Sequence, residues 1–232
     1  KIINFFNLDK NIKFIFLHKN LKKTFINKKN IILDDCVDVN DFKKKKYKTK
    51  FEFVYTGSLH KGKGIEIITY LAEQFPKKKF HIFGDINTLS KEYKVIINNK
   101  KNIILEGHFK YKFLPSILLK SEFLLMPYLE KVNVNSKKLE VSKYMSPLKL
   151  FDYLAAGKII IASNLRVYSH ILRNKKNSFL ISPNRLNEWK KVVGILLKNK
   201  TKYNFIRKNA KLTAENYTWN KRVQKIISFN KL

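Results

Sequence analysis

The 232-residue chain is long enough to bury a core, and 44% hydrophobic residues exclude a disordered polymer. Its 49 Lys and Arg against 17 Asp and Glu give a net charge of +32, which favours anionic partners such as nucleotides, nucleic acid or acidic lipid surfaces. The single cysteine, Cys36, excludes an internal disulfide framework, no Cys/His cluster has zinc spacing, and no apolar run approaches the ~20 residues of a membrane span.

Taken in chain order, Ile12 to Leu17 reads as a strand, Leu21 to Ile26 as a short helix, and Ile31 to Leu33 as a strand leading into the acidic stretch "DDCVDVNDF". Lys43 to Lys50 reads as a linker. Short Ile-, Phe- and Val-rich runs then recur: Phe51 to Tyr55, Phe80 to Phe83, Ile103 to Leu105, Phe123 to Met126, Ile159 to Ala162 and Phe179 to Ile181. Being largely apolar on both faces, they read as parallel strands covered on both sides. Between the first two, Ile65, Ile68, Leu71, Ala72 and Phe75 recur at spacings of three and four, the stripe of a crossover helix. Further helices are predicted over Ser90 to Asn98, Tyr111 to Lys120, Pro147 to Ala156, Leu165 to Leu172 and Asn187 to Lys198, and again from Thr201 onward with a break at Tyr217-Thr218-Trp219. This alternation predicts an α/β fold, an open, doubly wound parallel sheet of Rossmann-like type, whose ligands lie beyond the carboxyl ends of its strands.

Three post-strand segments carry candidate chemistry. The first strand runs into "TGSLHKGKGIE", where Gly57, Gly62 and Gly64 allow close backbone approach just before a helix N-terminus, an arrangement suited to phosphate. Lys63 is the expected phosphate ligand, with Ser58 and His60 as neighbours. A P-loop reading fails at Gly64, where Ser or Thr would hold magnesium, so an ATPase or GTPase is disfavoured. In "SPLKLFDYLAAG", Ser146 is predicted to cap the helix, Pro147 to open it and Gly157 to stop it. Leu148, Leu150, Phe151, Leu154 and Ala155 fall on one arc, leaving Lys149, Asp152, Tyr153 and Ala156 on the opposite, exposed side. Lys149 and Asp152 then form either a surface ion pair or the two ends of a ligand site, phosphate on the lysine and a ribose diol on the aspartate. The third segment is "GHF", where His108 is either a base-pocket residue or an ordinary loop histidine.

The ordered succession of "YTGSLHKGKG", "GHF", "LLMPY", "SPLKLFDYLAAGKIIIAS" and "YTWNKR" resembles, over about residues 30 to 225, the donor-binding half of GT-B fold glycosyltransferases of the family 4 (glycosyl transferases group 1) type. The resemblance implies a domain that holds a nucleotide-diphosphate sugar and supports retaining transfer with no metal and no separate cofactor. It maps Lys63 onto a loop lysine that contacts the diphosphate. It maps Asp152 onto the last glutamate of an E-x7-E motif, which grips the ribose, and Tyr144 onto the first, which faces the donor sugar. Tyr144 therefore leaves the sugar undefined. Ser58 stands where an arginine is frequent, which puts the phosphate on Lys63 and Lys149. The donor-binding set thus runs from Gly57, Ser58, Lys63 and Gly64 through His108 to Tyr144, Ser146, Pro147, Leu148, Lys149 and Asp152.

Residues 1–44 are expected to be the remnant of an N-terminal acceptor domain and its linker, residues 45–215 the nucleotide-sugar-binding domain, and residues 216–232 a C-terminal helical segment. Catalytic groups on the acceptor side fall to the preceding domain, so the chain alone is expected not to transfer sugar. The expected partners are a nucleotide-sugar donor and a glycan or lipid-linked acceptor, in the cytoplasm, with peripheral contact at the inner face of the membrane. Nucleic acid is disfavoured because only five of the basic residues are arginine and no aromatic platforms interleave the lysine runs. The competing class is a non-catalytic basic module that docks on acidic membrane or nucleic acid.

Overall fold

The computed structural model describes residues 12–22, 29–43, 47–134, 139–140 and 145–231. The chain opens with a two-stranded parallel pair, β1 (Phe14–Phe16) and β2 (Asn30–Ile32), with the one-turn helix α1 (Lys19–Lys22) between them. Of the helix predicted over Leu21 to Ile26, residues 23–26 lie outside the described residues. A 3-10 turn, Val39–Phe42, capped by the Asp38 carboxylate on the Asn40 amide at 2.9 Å, then leads to the main sheet.

That sheet has six strands, β3 (Phe51–Thr56), β4 (Phe80–Phe83), β5 (Ile103–Gly107), β6 (Ser121–Met126), β9 (Ile159–Ser163) and β10 (Phe179–Ile181), in the order β10-β9-β6-β3-β4-β5. Every pairing in it is parallel. A separate short antiparallel pair, β7 (Asn133–Val134) with β8 (Leu139–Glu140), follows β6. The predicted strands and the open α/β architecture are both realised.

Helices cover both faces, as apolar strands require. Phe53, Tyr55, Phe80, Phe123 and Ile161 pack with α2 (Ile65–Gln74) and α6 (Leu186–Lys198), whose Trp189 is fully buried. The alternate strand residues Val54, Leu124 and Ile160 pack with α4 (Leu114–Leu119) and α5 (Leu148–Ala156). In the sheet centre Phe53 stacks between Phe80 and Phe123, at centroid distances of 4.7 and 4.9 Å, on neighbouring strands in register. The remaining helices are α3 (Lys91–Asn98), α7 (Asn204–Ala214) and α8 (Trp219–Asn230), and no helix among the described residues is long and apolar enough to cross a membrane.

Two expectations need correction. Leu165 to Leu172 forms only a 3-10 turn, Arg166–Tyr168: the Tyr168 and Ser169 amides bond three residues back, to the carbonyls of Leu165 and Arg166 (both 3.4 Å), and beyond the turn the Asn177 side chain ties off the segment, its amide nitrogen donating to the Ile171 carbonyl (2.9 Å) and its oxygen accepting from the Arg173 amide (2.8 Å). Nor does Ser146 cap α5. Pro147 occupies the cap position in extended geometry, with its carbonyl accepting from Leu150, while the Ser146 hydroxyl accepts from the Asp35 amide at 3.4 Å. Gly157 ends α5 as predicted, in the left-handed region at φ 62°.

The chain leaves β3 in one direction through β4 and β5, then returns to lay β6, β9 and β10 on its other side. The carboxyl ends of β3 and β6 therefore frame the point where strand order reverses, and a crevice opens there. Truncating the central ring, Phe53→Ala, is expected to cost about 3–5 kcal/mol in urea unfolding; a loss under about 1 kcal/mol would show that the stack does not anchor the sheet.

Candidate functional site

At that reversal lies a cleft of about 880 Å³, formed by the loops after β3, β4, β5 and β6 and by the first turns of α5. Its floor begins at Thr56, the last residue of β3, whose amide donates to the Tyr153 hydroxyl (2.9 Å) where the sheet ladder ends. Gly57 follows at φ 121°, a conformation L side chains rarely adopt, and its amide reaches the Phe83 carbonyl at 2.8 Å. A β-carbon on Gly57 would stand 2.8 Å from the Lys149 Nζ, so the missing side chain is what lets the lysine head lie against the backbone. Gly64, at φ 86°, starts α2 under the Pro127 carbonyl, where any side chain would collide.

Lys149 reaches this floor from the first turn of α5. Its residue is half-buried, but the Nζ atom itself is sealed from solvent and has no hydrogen-bond partner among the described residues. It sits 3.7 Å from the ring centroid of Tyr55 and 5.1 Å from that of Tyr128, while the Lys63 Nζ lies 4.8 Å from the same Tyr128 ring. Aromatic faces compensate a buried cation only in part. Burial accordingly holds the Lys149 pKa well below the ordinary lysine value, and the nearby Lys63 charge pushes it further down; burial also lowers the pKa of Lys63. Two cationic groups thus converge on one spot with no carboxylate between them.

Asp152, one turn further along α5, is only 5% exposed, and its Oδ1 accepts a hydrogen bond from the Tyr111 hydroxyl at 3.1 Å. Burial raises its pKa to about 6, against the opposing effect of that hydrogen bond and with a further push from Asp41. The carboxyl is therefore mostly ionised at neutral pH and faces the same cleft as the lysines. The exposed arc predicted for α5 is incorrect: Asp152, Tyr153 and Ala156 are buried, and Leu148, at 59%, is its most solvent-facing residue. α5 is enclosed on both sides, by α4 and by the cleft wall, so its polar residues face a cavity instead of bulk water. The surface-pair reading also fails, because Lys149 turns to the tyrosine rings and Asp152 to Tyr111.

The structure brings Gly57, Ser58, Lys63, His108, Ser146, Pro147, Leu148, Lys149 and Asp152 together around the cleft, while Gly64 supports it from below and His60 does not line it. Tyr144 lies outside the described residues. Sequence reasoning missed Tyr111, Tyr128 and the β4 loop, where Thr88 accepts from the Leu59 amide (2.8 Å) and donates to the Asp85 carbonyl (2.6 Å), tying two walls together. No cluster of His, Cys, Asp or Glu suited to a metal occurs among the described residues.

Residues 37–213 match the family model described as Glycosyl transferases group 1. The chain belongs to that family. No curated protein sequence matches it. Among solved structures, the group 1 chain is similar to a glycosyltransferase from Rickettsia africae, at TM-score 0.75 and 14% identity over 96% of this chain and 63% of that one. Similarity to the HepE protein of Anabaena in complex with UDP is at TM-score 0.74 and 14% identity, over 94% and 63%. With the C-terminal domain of the group 1 protein LpcC from Francisella tularensis it is at TM-score 0.55 and 15% identity, over 80% and 96%. The chain thus spans less than two thirds of the longer structures but nearly all of an isolated C-terminal domain, and these likenesses establish a shared GT-B-type fold.

An unpaired buried lysine should cost stability in the empty protein. Replacing it by a shape-matched apolar residue, Lys149→Met, is expected to stabilise the group 1 domain by about 1–4 kcal/mol in chemical unfolding. Because the folded-state pKa is depressed, the cost is complete below that value and vanishes as pH rises into the ordinary lysine range, so the gain should shrink with rising pH. Destabilisation by Met at neutral pH would contradict this.

Proposed function

We propose that the chain is the donor-binding half of a glycosyltransferase that transfers a sugar, with retention, from a nucleotide-diphosphate sugar to a glycan or lipid-linked acceptor. The observation that carries this reading is the convergence of Lys63 and Lys149 on the Tyr128 ring beside Gly57, without an anion. A diphosphate supplies the missing charge, and the N-terminus of α2 behind Gly64 adds its partial positive charge. With the phosphates there, the ribose lies toward Asp152, and the base toward the wall of His108 and Phe109, whose rings stack at 6.4 Å. UDP in the HepE structure, and UDP with GlcNAc in a pneumococcal O-GlcNAc transferase of the same fold, favour a uridine nucleotide.

In transfer, the bond from the anomeric carbon to the β-phosphate oxygen breaks while the acceptor hydroxyl oxygen bonds to that carbon and its proton passes to the departing diphosphate. Negative charge grows on the departing diphosphate, where the two lysines already point; preorganised charge of this kind acts on the transition state more than on the ground state. The protein's own cations take the part that a divalent ion plays in P-loop sites, so no metal is required. A chain without disulfides suits the cytoplasm, and the positive surface admits peripheral contact with the inner membrane face.

Calorimetric titration with UDP-glucose tests the reading. Lys63→Ala and Lys149→Ala should each weaken binding by about 1.5–3 kcal/mol, and Asp152→Asn by about 1–2 kcal/mol, with EDTA having no effect. A 2′,3′-dideoxy nucleotide should bind the native protein more weakly yet lose little more in Asp152→Asn, since both changes remove one contact. Unchanged affinity in both lysine variants, or collapse in EDTA, would sink the assignment.

A further inference from the structure

Tyr111 is exposed over 64% of its surface, yet its hydroxyl is the one hydrogen-bond partner of the buried Asp152 carboxylate among the described residues. It opens the 3-10 turn Tyr111–Phe113 that follows β5, so its ring stands at the cleft mouth with little packing to hold it. An aromatic side chain fixed by one hydroxyl and otherwise open to solvent adds little to the core. What it does control is a carboxylate in the cleft.

We propose that Tyr111 is a positioning residue: its phenol hydroxyl holds the Asp152 carboxylate in the orientation and charge state that the donor's ribose diol needs. The inference rests on the reading of Asp152 as the ribose ligand. With Oδ1 tied to Tyr111, Oδ2 is left to accept from the ribose, and the carboxylate cannot swing away from the cleft. When the diol arrives, the remaining lone pair of Oδ1 takes its second hydroxyl.

The surroundings of Asp152 leave that task to Tyr111. From the 3-10 turn Val39–Phe42, Asp41 faces it with like charge, and Asp38 lies behind, near Tyr111. On α5 itself, Tyr153 is the adjacent ionisable group and donates toward the Leu125 carbonyl, while Lys149 turns its ammonium to Tyr55. α4, packed alongside, has no ionisable side chain, and α7 meets the far end of α5, where the Lys211 stem lies on Gly157. Tyr217 meets α5 through the Phe151 ring, at 5.4 Å. Burial and Asp41 both favour the protonated acid, and the Tyr111 bond opposes them.

The test is Tyr111→Phe, which keeps the ring and removes the donor. In the empty protein, a carboxyl-carbon NMR titration of Asp152 should show its midpoint near 6 moving upward by about one pH unit. An unmoved midpoint would overturn the proposal, and no nucleotide is needed to see it. UDP-glucose, whose phosphates do not titrate here, is the probe for the second arm. The variant should bind within about twofold of the native protein at about pH 8, but about fivefold more weakly than native at about pH 6. An equal loss at both pH values would mean that Tyr111 touches the nucleotide directly and would overturn its positioning role. A shifted midpoint with pH-independent affinity would leave the control of the carboxylate standing and remove the ribose from Asp152.

Discussion

One lysine head group, that of Lys149, held out of water with no counter-ion and with a second lysine, Lys63, beside it, is the constraint around which the site is arranged. An isolated buried ammonium is among the most costly things a fold can contain, and a second one nearby adds repulsion to desolvation. The protein keeps Lys149 in place by setting the faces of Tyr55 and Tyr128 against it and by leaving position 57 without a side chain. Rings offset part of the cost and do not satisfy a hydrogen bond, so the site remains short of negative charge until a ligand brings it. Strain of this kind is expected where binding, and not stability, has shaped the residues.

The fold makes the convergence possible. β3 and β6 lie side by side although some seventy positions separate them, because the chain reverses direction across the sheet there. Lys63 follows β3 and Tyr128 follows β6, while Lys149 arrives on the helix leading into β9. The backbone clamps these loops: the Leu129 amide donates to the Gly62 carbonyl (2.9 Å), and Gly64 fits under Pro127. The Val37 amide bonds the Tyr217 carbonyl (3.0 Å) and Arg222 reaches the carbonyls of Leu33 and Asp34, so the C-terminal helix is fastened to the segment that precedes the main sheet.

The sheet was readable in advance because its strands are apolar on both faces and its crossover helix has an unbroken stripe from Ile65 to Phe75, signals that depend only on local spacing. The glycine loop was readable because glycines before a helix permit positive φ and close backbone approach, which Gly57, Gly62 and Gly64 all adopt. What escaped depended on contacts distant in sequence. Ser146 fits a helix cap by every local rule, yet its hydroxyl is engaged by the Asp35 amide. α5 looked two-sided because periodicity counts apolar residues and cannot tell a solvent face from a cavity face. Tyr128 entered only as the end of "LLMPY" and Tyr111 only as the start of a helix; a phenol bonded to a carboxylate 41 residues away leaves no trace in the sequence pattern.

The central claim, that a diphosphate brings the charge these lysines lack, is tested most directly by measuring proton exchange during binding. UDP-glucose would be titrated calorimetrically in buffers of different ionisation enthalpy, from neutral to alkaline pH. The depressed Lys149 pKa should rise when the anion arrives, so the account predicts net proton uptake and an affinity that weakens as pH climbs toward the ordinary lysine range. Binding with no proton uptake and a constant affinity across that range would contradict it.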